Sequence, residues 1–199
     1  MSAAGVLLLL LIAIIVVVVM VVWNSYNRLV TLRRRYQNAY AQIDVQLQRR
    51  YDLIPNLVNT AKGYMAHEKE TLTAVMAARN QAVSAAQGAA ANPGDPQAMQ
   101  QAASAEAGLS GVLGRLLMVS EAYPDLKADQ SMNKVMEELS STENKVSFAR
   151  QAFNDAVTLY NTSRELFPSN LIAGSFQFLA AELWRDLSPE AKTAPRVSF

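Results

Sequence analysis

The sequence predicts an all-α protein. We expect an N-terminal transmembrane helix that continues into an elongated antiparallel four-helix bundle, followed by a short C-terminal amphipathic helix. Three observations favour this fold class: an uncharged apolar run at the N-terminus, apolar residues at helical spacing along most of the remaining chain, and a dense β-branched run only inside the N-terminal stretch. The corresponding domains are residues 1–23, 24–167 and 168–199.

The first element is the apolar run Ala3–Trp23, which contains no charged residue. As a helix its 21 residues span about 31 Å, which matches a bilayer core of about 30 Å. Trp23 and Tyr26 follow where interfacial aromatic residues are expected. A signal peptide would instead carry a basic start, a shorter apolar core and an A-x-A cleavage site, none of which is present. We therefore predict a membrane anchor.

The charge distribution predicts the topology. The chain carries a net charge of +1, but residues 1–50 hold six arginines and one aspartate, a balance of +5, so the remainder sums to −4. By the positive-inside rule we expect a single-pass protein of the inner or plasma membrane, with its N-terminus outside and its main domain cytoplasmic. Arg33, Arg34 and Arg35 lie beside the anchor, where anionic lipid headgroups are better partners than nucleic acid.

Four amphipathic segments follow the anchor, at about residues 24–59, 65–87, 97–121 and 129–166. The apolar stripe of the first has a period near 3.6 and comprises Tyr36, Tyr40, Ile43, Leu47, Tyr51, Ile54, Val58, Ala61 and Met65. The stripe of the fourth has a period of 3.5 and comprises Met132, Val135, Leu139, Thr142, Val146, Ala149, Phe153, Ala156 and Tyr160. Helices with such stripes must bury them against one another, and an antiparallel bundle does so economically.

Pro55 lies on the first stripe, in "QRRYDLIPNLV". Proline removes a backbone donor, so the helix either kinks here or ends and restarts with Asp52 as N-cap. Because the apolar stripe keeps its phase across the proline, we favour a kink. Arg49, Arg50 and Asp52 are candidates to clamp backbone carbonyls or a carboxylate around it. We expect Arg50→Ala to lower the melting temperature.

Other polar residues interrupt the apolar stripes. Thr142, Glu143 and Asn144 interrupt the fourth, and Arg79 interrupts the second. A buried Arg79–Glu143 pair is one hypothesis, since burying one charge without the other costs several kcal/mol. A ligand site is another. The interpretation we favour is packing specificity, with Thr142 and Asn144 fixing the helix register.

The tail contains apolar residues at helical spacing, Phe176, Leu179, Leu183 and Leu187, which predict the short amphipathic helix. Its apolar face would contact the bundle, a neighbouring subunit or the membrane surface. Phe176 and Trp184 are therefore candidate interaction residues.

The sequence offers little for catalysis. The lone histidine, His67, is followed four residues later by Thr71, so no H-E-x-x-H motif exists, and one histidine cannot supply a di-iron bundle. The chain has no cysteine, which excludes a thiolate nucleophile, and "GLSGVLG" lacks the spacing of a phosphate-binding loop. We predict no catalytic, cofactor-binding or metal-binding residues, and therefore no enzyme.

Several long stretches resemble the LemA family: residues 26–72, which contain "IDVQLQRRYDLIPNLV"; "YPDLKAD" at 123–129; "ELSSTENKVSFARQAFNDAVTLYN" at 138–161; and "PRVSF" at 195–199. The resemblance implies a single N-terminal anchor, an elongated helical bundle and no catalytic residues to carry over. It also suggests a role in organising membranes or in binding a membrane protease. Two functions follow as expectations: a homo-oligomeric membrane scaffold, or an adaptor or regulator of another membrane protein.

Overall fold

The computed structural model describes residues 3–185. It is all-helical over that range, without strands, which confirms the predicted fold class at this level. The helices are α1 (Ala3–Tyr64), α2 (Lys69–Ala91), α3 (Pro96–Ser120), α4 (Pro124–Ala128), α5 (Gln130–Glu165) and α6 (Ser169–Ser175).

The longest element, α1, has 62 residues and spans roughly 93 Å at the usual helical rise. Most of its first third stands clear of the rest of the molecule, with the large side chains from Val6 to Met20 being 43–66% exposed. Burial begins at Ser25 and continues in the helical body, which we define as residues 24–185. As predicted, no break separates the apolar run from the body.

The apolar run is a candidate membrane span, with a mean hydropathy of 3.6 and none of its residues buried. Helix α3 is also long and apolar enough to cross a membrane, with a mean hydropathy of 1.2. However, one third of its apolar stretch is buried inside the helical body. Partial burial of this kind is typical of a core helix, so we assign α3 to the body.

The core forms mainly where α1 packs on α5 and α2, and α2 packs on α3. All nine residues of the predicted α1 stripe are buried, although Met65 lies just beyond the end of the helix. Of the predicted α5 stripe, only Val135 and Ala149 are partly rather than fully buried, and both pack against the core. The tyrosine-rich stripe packs edge-on against α5: Tyr36 and Tyr40 both contact Phe153, at centroid distances of 6.3 and 5.5 Å.

Two aspartates fix the starts of the later helices. Asp95 caps α3 by accepting from the Ala98 amide at 2.8 Å, and Asp129 caps α5 by accepting from the Met132 amide at 2.9 Å. The Met132 amide, together with the Tyr64 hydroxyl, lowers the pKa of the Asp129 carboxyl. The loop after α2 is shorter than the sequence indicates, because the alanines up to Ala91 continue the helix.

The prediction of an amphipathic helix through Phe176, Leu179 and Leu183 is wrong. Helix α6 ends at Ser175, and residues 177–185, which we call the C-terminal segment, are not helical. The buried residues of this segment, Phe178, Ala181 and Trp184, recur every three positions. Helix formation is overridden because the backbone of the segment forms hydrogen bonds with α5 instead. Leu187 lies outside the described residues.

Candidate functional site

A buried polar network lies at mid-height of the helical body and joins α1 to α3. Its centre is Glu106 on α3, which is 3% exposed. Arg50 on α1 donates from Nη1 to Glu106 Oε2 at 2.9 Å and from Nη2 to Ser110 Oγ at 3.0 Å. Tyr51, the next residue of α1, donates its hydroxyl to Glu106 Oε1 at 2.6 Å. Both carboxylate oxygens therefore accept from the one helix.

A second arginine brings α5 into the network. Arg150 places Nη2 3.5 Å from Glu106 Oε2, and its guanidinium lies 4.6 Å from the centre of the Trp184 ring. Trp184 in turn packs against Tyr40 of α1 at a centroid distance of 6.2 Å. Two arginines thus share one carboxylate, and the second stacks on an aromatic face, which suits a weakly hydrated guanidinium.

The tyrosines of the network stay protonated. Burial, reinforced by the Glu106 carboxylate, raises the pKa of Tyr51 well above its usual range. Burial also raises the pKa of Tyr40, with a smaller contribution from Asp44. The Tyr51 hydroxyl is therefore a hydrogen-bond donor at any physiological pH.

The structure also answers the question raised by Pro55. Helix α1 runs through the proline without ending, so the carbonyl of Tyr51, four residues earlier, lacks its usual intrahelical donor. Arg79 of α2 supplies one: its Nε donates to the Tyr51 carbonyl oxygen at 3.0 Å. The residue that interrupts the second apolar stripe thus repairs the hydrogen bonding of the first helix.

Two asparagines of α5 hold the C-terminal segment. Asn161 donates from Nδ2 to the Ala181 carbonyl at 2.8 Å, and its Oδ1 accepts from the Ala181 amide at 3.0 Å. Asn154 makes the same pair with Trp184, at 3.0 and 2.8 Å. Seven residues of helix and three residues of extended chain each cover about 10 Å, so the two spacings match. The segment runs antiparallel to α5.

The same segment is tied to the loop between α2 and α3. The Glu182 amide donates to the Gly94 carbonyl at 2.8 Å. Gly94 has φ of +87°, and a Cβ there would lie 2.8 Å from the Ala181 Cβ and 3.3 Å from the Tyr36 ring. Both the backbone conformation and the close approach therefore require glycine.

The predicted site residues have mixed outcomes. Five of them are buried or partly buried in the helical body: Arg50, Pro55, Arg79, Thr142 and Trp184. Thr142 is buried on the α5 stripe and donates to the Glu138 carbonyl at 2.7 Å. Trp184 contacts the body, and Phe176 is about half exposed but packs against Tyr26.

Three predictions about these residues are wrong. The Arg79–Glu143 pair does not form, because Glu143 is exposed and Arg79 points to α1. Asn144 is also exposed, so it cannot set the register of buried faces. Arg49 and Asp52 are exposed too, so they take no part in the clamp predicted around Pro55, and Asp52 instead accepts from Gln48 at 2.9 Å.

Sequence reasoning missed Glu106, Arg150, Asn154 and Asn161. Glu106 had a readable signal, since it falls at helical spacing between Ala103 and Leu109 on the buried face of α3. The asparagines had none, because their partners are backbone groups of a segment whose path depends on the tertiary fold.

The network offers no reacting group with an open position. Across residues 3–185, no group of three or more histidine, aspartate or glutamate side chains is placed to hold a metal ion. Glu106 is enclosed and accepts at both oxygens. The arrangement links α1, α2, α3, α5 and the C-terminal segment, which is what a rigidifying network does.

These features define a class of protein: a helical body that is locked by a buried ion-pair network and carried on a long helix with an exposed apolar end. The chain belongs to the LemA family, whose model matches residues 39–199. That match includes the network and both asparagines, whereas the apolar run precedes it.

The chain is similar to curated magnetosome proteins. It is 26% identical over 176 residues to magnetosome proteins MamQ 1 and MamQ 2 of Paramagnetospirillum magneticum, and 24% identical to magnetosome protein MamQ of Magnetospirillum gryphiswaldense. Each alignment covers 81% of this chain and 65% of the relative. The chain therefore matches just under two thirds of the length of these relatives.

Proposed function

We propose that this protein is a single-pass, membrane-anchored scaffold that self-assembles at the membrane and organises or remodels it. The observation that carries the proposal is the continuity of α1, which joins an exposed apolar run to the helical body without a flexible linker. A rigid connection transmits position and orientation from the bilayer to the body. Such transmission is useful for a structural role and unnecessary for a tethered enzyme.

The proposal includes an antiparallel four-helix bundle formed by α1, α2, α3 and α5. Contact positions rise along α1 as they fall along α5, from Tyr36 against Tyr160 to Tyr64 against Asp129. This order supports an antiparallel pair. The network supports a rigid cross-section, because Glu106 bridges α1 and α5 from α3.

The anchor and its orientation are part of the same proposal. An apolar run of this length and exposure has no role in water, and the adjacent Arg28, Arg34 and Arg35 are exposed where anionic headgroups would lie. The basic flank favours a cytoplasmic body in the inner or plasma membrane. The magnetosome proteins to which the chain is similar are consistent with a membrane role.

Self-assembly is tested by measuring the mass of the full-length protein in lipid nanodiscs and by crosslinking in native membranes. Because the chain lacks cysteine, single cysteines at the exposed positions Val45 and Phe148 report on neighbours without background. We expect homo-oligomeric masses and self-crosslinks from at least one position. A monomer in both measurements, across a range of protein densities, would contradict the scaffold.

The alternative is an adaptor or regulator of another membrane protein, such as a protease. One observation favours it: an apolar groove where α1 meets α2, at the end of the body remote from the apolar run. Val58, Met65 and Leu72 line this groove, with Lys62 and Lys69 beside them. Crosslinking that captured one different membrane protein, with no self-products, would support the adaptor instead.

A further inference from the structure

A second apolar surface lies at the membrane-proximal end of the body. Four large side chains around α6 are more than half exposed; they are Leu166, Phe167, Leu171 and Phe176, and we call them the α6 patch. Phe167 is 80% exposed and Leu171 is 59% exposed. The stretch 166–181 that contains the patch has no charged residue.

The position of the patch relative to α1 is fixed by direct contacts. Helix α6 packs on both α1 and α5. The ring of Phe176 lies edge-on to Tyr26 at 5.1 Å, and Phe176 lines one groove with Val18, Val19 and Val22 of the apolar run. Val18 and Val19 lie at least one helical turn before Trp23, so Phe176 brings one edge of the patch to the level of the apolar run.

The residues that hold α6 in place are distinct from those that it exposes. Ile172 and Ala173 are buried against the body, whereas Leu171 on the same short helix faces away. Beneath α6, Phe178 packs on Tyr26 at 5.5 Å and carries the Arg33 guanidinium 4.9 Å above its ring. The apolar face is thus supported from behind and is continuous with the apolar run beside it.

We propose that the α6 patch is a second membrane-binding surface that inserts into the interface of the bilayer in which α1 is anchored. Its partner is the boundary between lipid headgroups and acyl chains, where a short apolar face is stabilised. The exposed Arg28 lies five residues, about 8 Å of helix, beyond Trp23, where anionic headgroups would reach it. The patch is continuous with the apolar run through Phe176, and this continuity favours lipid over a protein as its partner.

A second contact with the membrane would fix the orientation of the body relative to the bilayer. A lone helix can rotate about its axis and change tilt, whereas a second contact on one side of it fixes both. The body would then present a constant face to neighbouring molecules. This inference depends on the proposed anchoring of α1, and the experiment separates the two.

The test uses single-cysteine variants of the full-length protein in proteoliposomes, labelled with a polarity-sensitive fluorophore. Phe167→Cys and Leu171→Cys report on the patch, and Leu10→Cys reports on the anchor. The matched control is Phe148→Cys, an exposed apolar position about 26 Å along α5 from its end at Glu165. Quenchers are aqueous iodide, a lipid with a doxyl group near the headgroup, and one with the group near the acyl end.

We expect labels at 167 and 171 to emit at shorter wavelength than the label at 148, to lose iodide quenching and to be quenched by the shallow doxyl lipid. The label at 10 should be quenched by the deep one. The inference would be overturned if iodide quenched the labels at 167 and 171 as strongly as the label at 148. If the deep doxyl lipid still quenched the label at 10, the anchor would remain intact. Protection at 171 without lipid quenching, together with 171–171 crosslinks, would assign the patch to a second copy and also overturn it. A label at 10 outside lipid would overturn the anchor and this inference together.

Discussion

The buried charge of Glu106 depends on partners that are far away in the sequence. Glu106 accepts from Arg50 and Tyr51, which are 56 and 55 residues away along the chain. An enclosed ion is tolerated only when its partners and hydrogen bonds are complete. Removing one partner, which leaves the others buried and unpaired, therefore lowers stability more than replacing the whole network would.

The first prediction concerns Glu106. Glu106→Gln keeps the shape of the side chain but leaves Arg50 and Arg150 without their shared carboxylate, so we expect the free energy of unfolding to fall by about 3 kcal/mol. Urea titration followed by circular dichroism in detergent measures the change. Glu137→Gln is the control, because Glu137 is exposed on α5. If the two variants had equal midpoints, the network would not stabilise the fold.

The second prediction concerns Arg79 and Pro55. Arg79→Ala leaves the Tyr51 carbonyl without a donor, and we expect it to cost about 1 kcal/mol. In a Pro55→Ala background the new amide donates to that carbonyl, so the same change should cost almost nothing. A double-mutant cycle by chemical denaturation measures the coupling, with exposed Arg49→Ala as control. Equal costs in both backgrounds would show that Arg79 does not compensate for the proline.

At the scale of elements, the C-terminal segment depends on side chains rather than on its own backbone pairing. Its amides and carbonyls at 181 and 184 pair with asparagine amide groups of α5. An asparagine side chain supplies one donor and one acceptor, which matches the amide and carbonyl of a single extended residue. Segment and helix are therefore held in one register.

The third prediction tests this register. Asn161→Ala removes both hydrogen bonds to Ala181, and we expect the segment to open with a free energy lower by about 2 kcal/mol. In a Trp23→Phe background, Trp184 fluorescence reports the opening because Trp184 is then the sole tryptophan. Asn161→Asp keeps the acceptor and loses the donor. Its free energy of opening should therefore lie between those of Asn161→Ala and the wild type.

Asn144→Ala provides the control for that experiment, because Asn144 is exposed on the same helix. A Trp184 transition that stayed at the wild-type urea concentration in Asn161→Ala would mean that the segment is held by packing alone.

The fourth prediction concerns the approach of Gly94 to the segment. We expect Gly94→Ala to destabilise the protein by about 1–3 kcal/mol, because the new Cβ would lie 2.8 Å from the Ala181 Cβ at a positive φ. Adding Ala181→Gly should recover part of the loss by removing the contact but not the backbone strain. Thermal melts measure each variant.

Gly88→Ala is the matched control for this series. Gly88 lies inside α2, and the position that an added methyl group would take has no atom within 4 Å, so alanine should stabilise the helix by about 0.5–1 kcal/mol. A neutral Gly94→Ala would contradict the close contact between the loop and the segment.

At the scale of the whole molecule, α1 sets the geometry. One helix carries the apolar run, the basic flank, the central stripe and Arg50 of the network. Under the proposed anchoring, changes near Trp23 would therefore act on orientation in the membrane, whereas changes beyond Tyr36 would act on the stability of the body.

The fifth prediction follows from this division. Replacing Arg28, Arg34 and Arg35 with glutamine removes the basic flank, and we expect a mixture of orientations instead of one. Labelling of a cysteine at exposed Gln100 from either side of the membrane measures the proportions. The control replaces Arg115, Lys134 and Lys145, exposed residues far from the span. A single orientation in both triple variants would contradict the charge rule for this protein.

Much of the fold is readable from the sequence. The spacing of apolar residues predicts the apolar run, the helical class, the unbroken passage into the body and the buried stripes of α1 and α5. It does so because a helix repeats about every four residues, so its pattern is visible in a short stretch of sequence. The resemblance to the LemA family is likewise visible in continuous stretches, and the family match bears it out.

The tertiary structure alone decided which polar residues meet. These pairings join residues that lie 20 to 56 positions apart in the sequence. They are Arg50 with Glu106, Arg79 with the Tyr51 carbonyl, and Asn161 and Asn154 with residues 181 and 184. Periodicity assigns a residue to a face but does not say what lies opposite. The non-helical path of the C-terminal segment was hidden for the same reason, since its local spacing favours a helix and the groups that hold it extended belong to α5 and to the loop at Gly94.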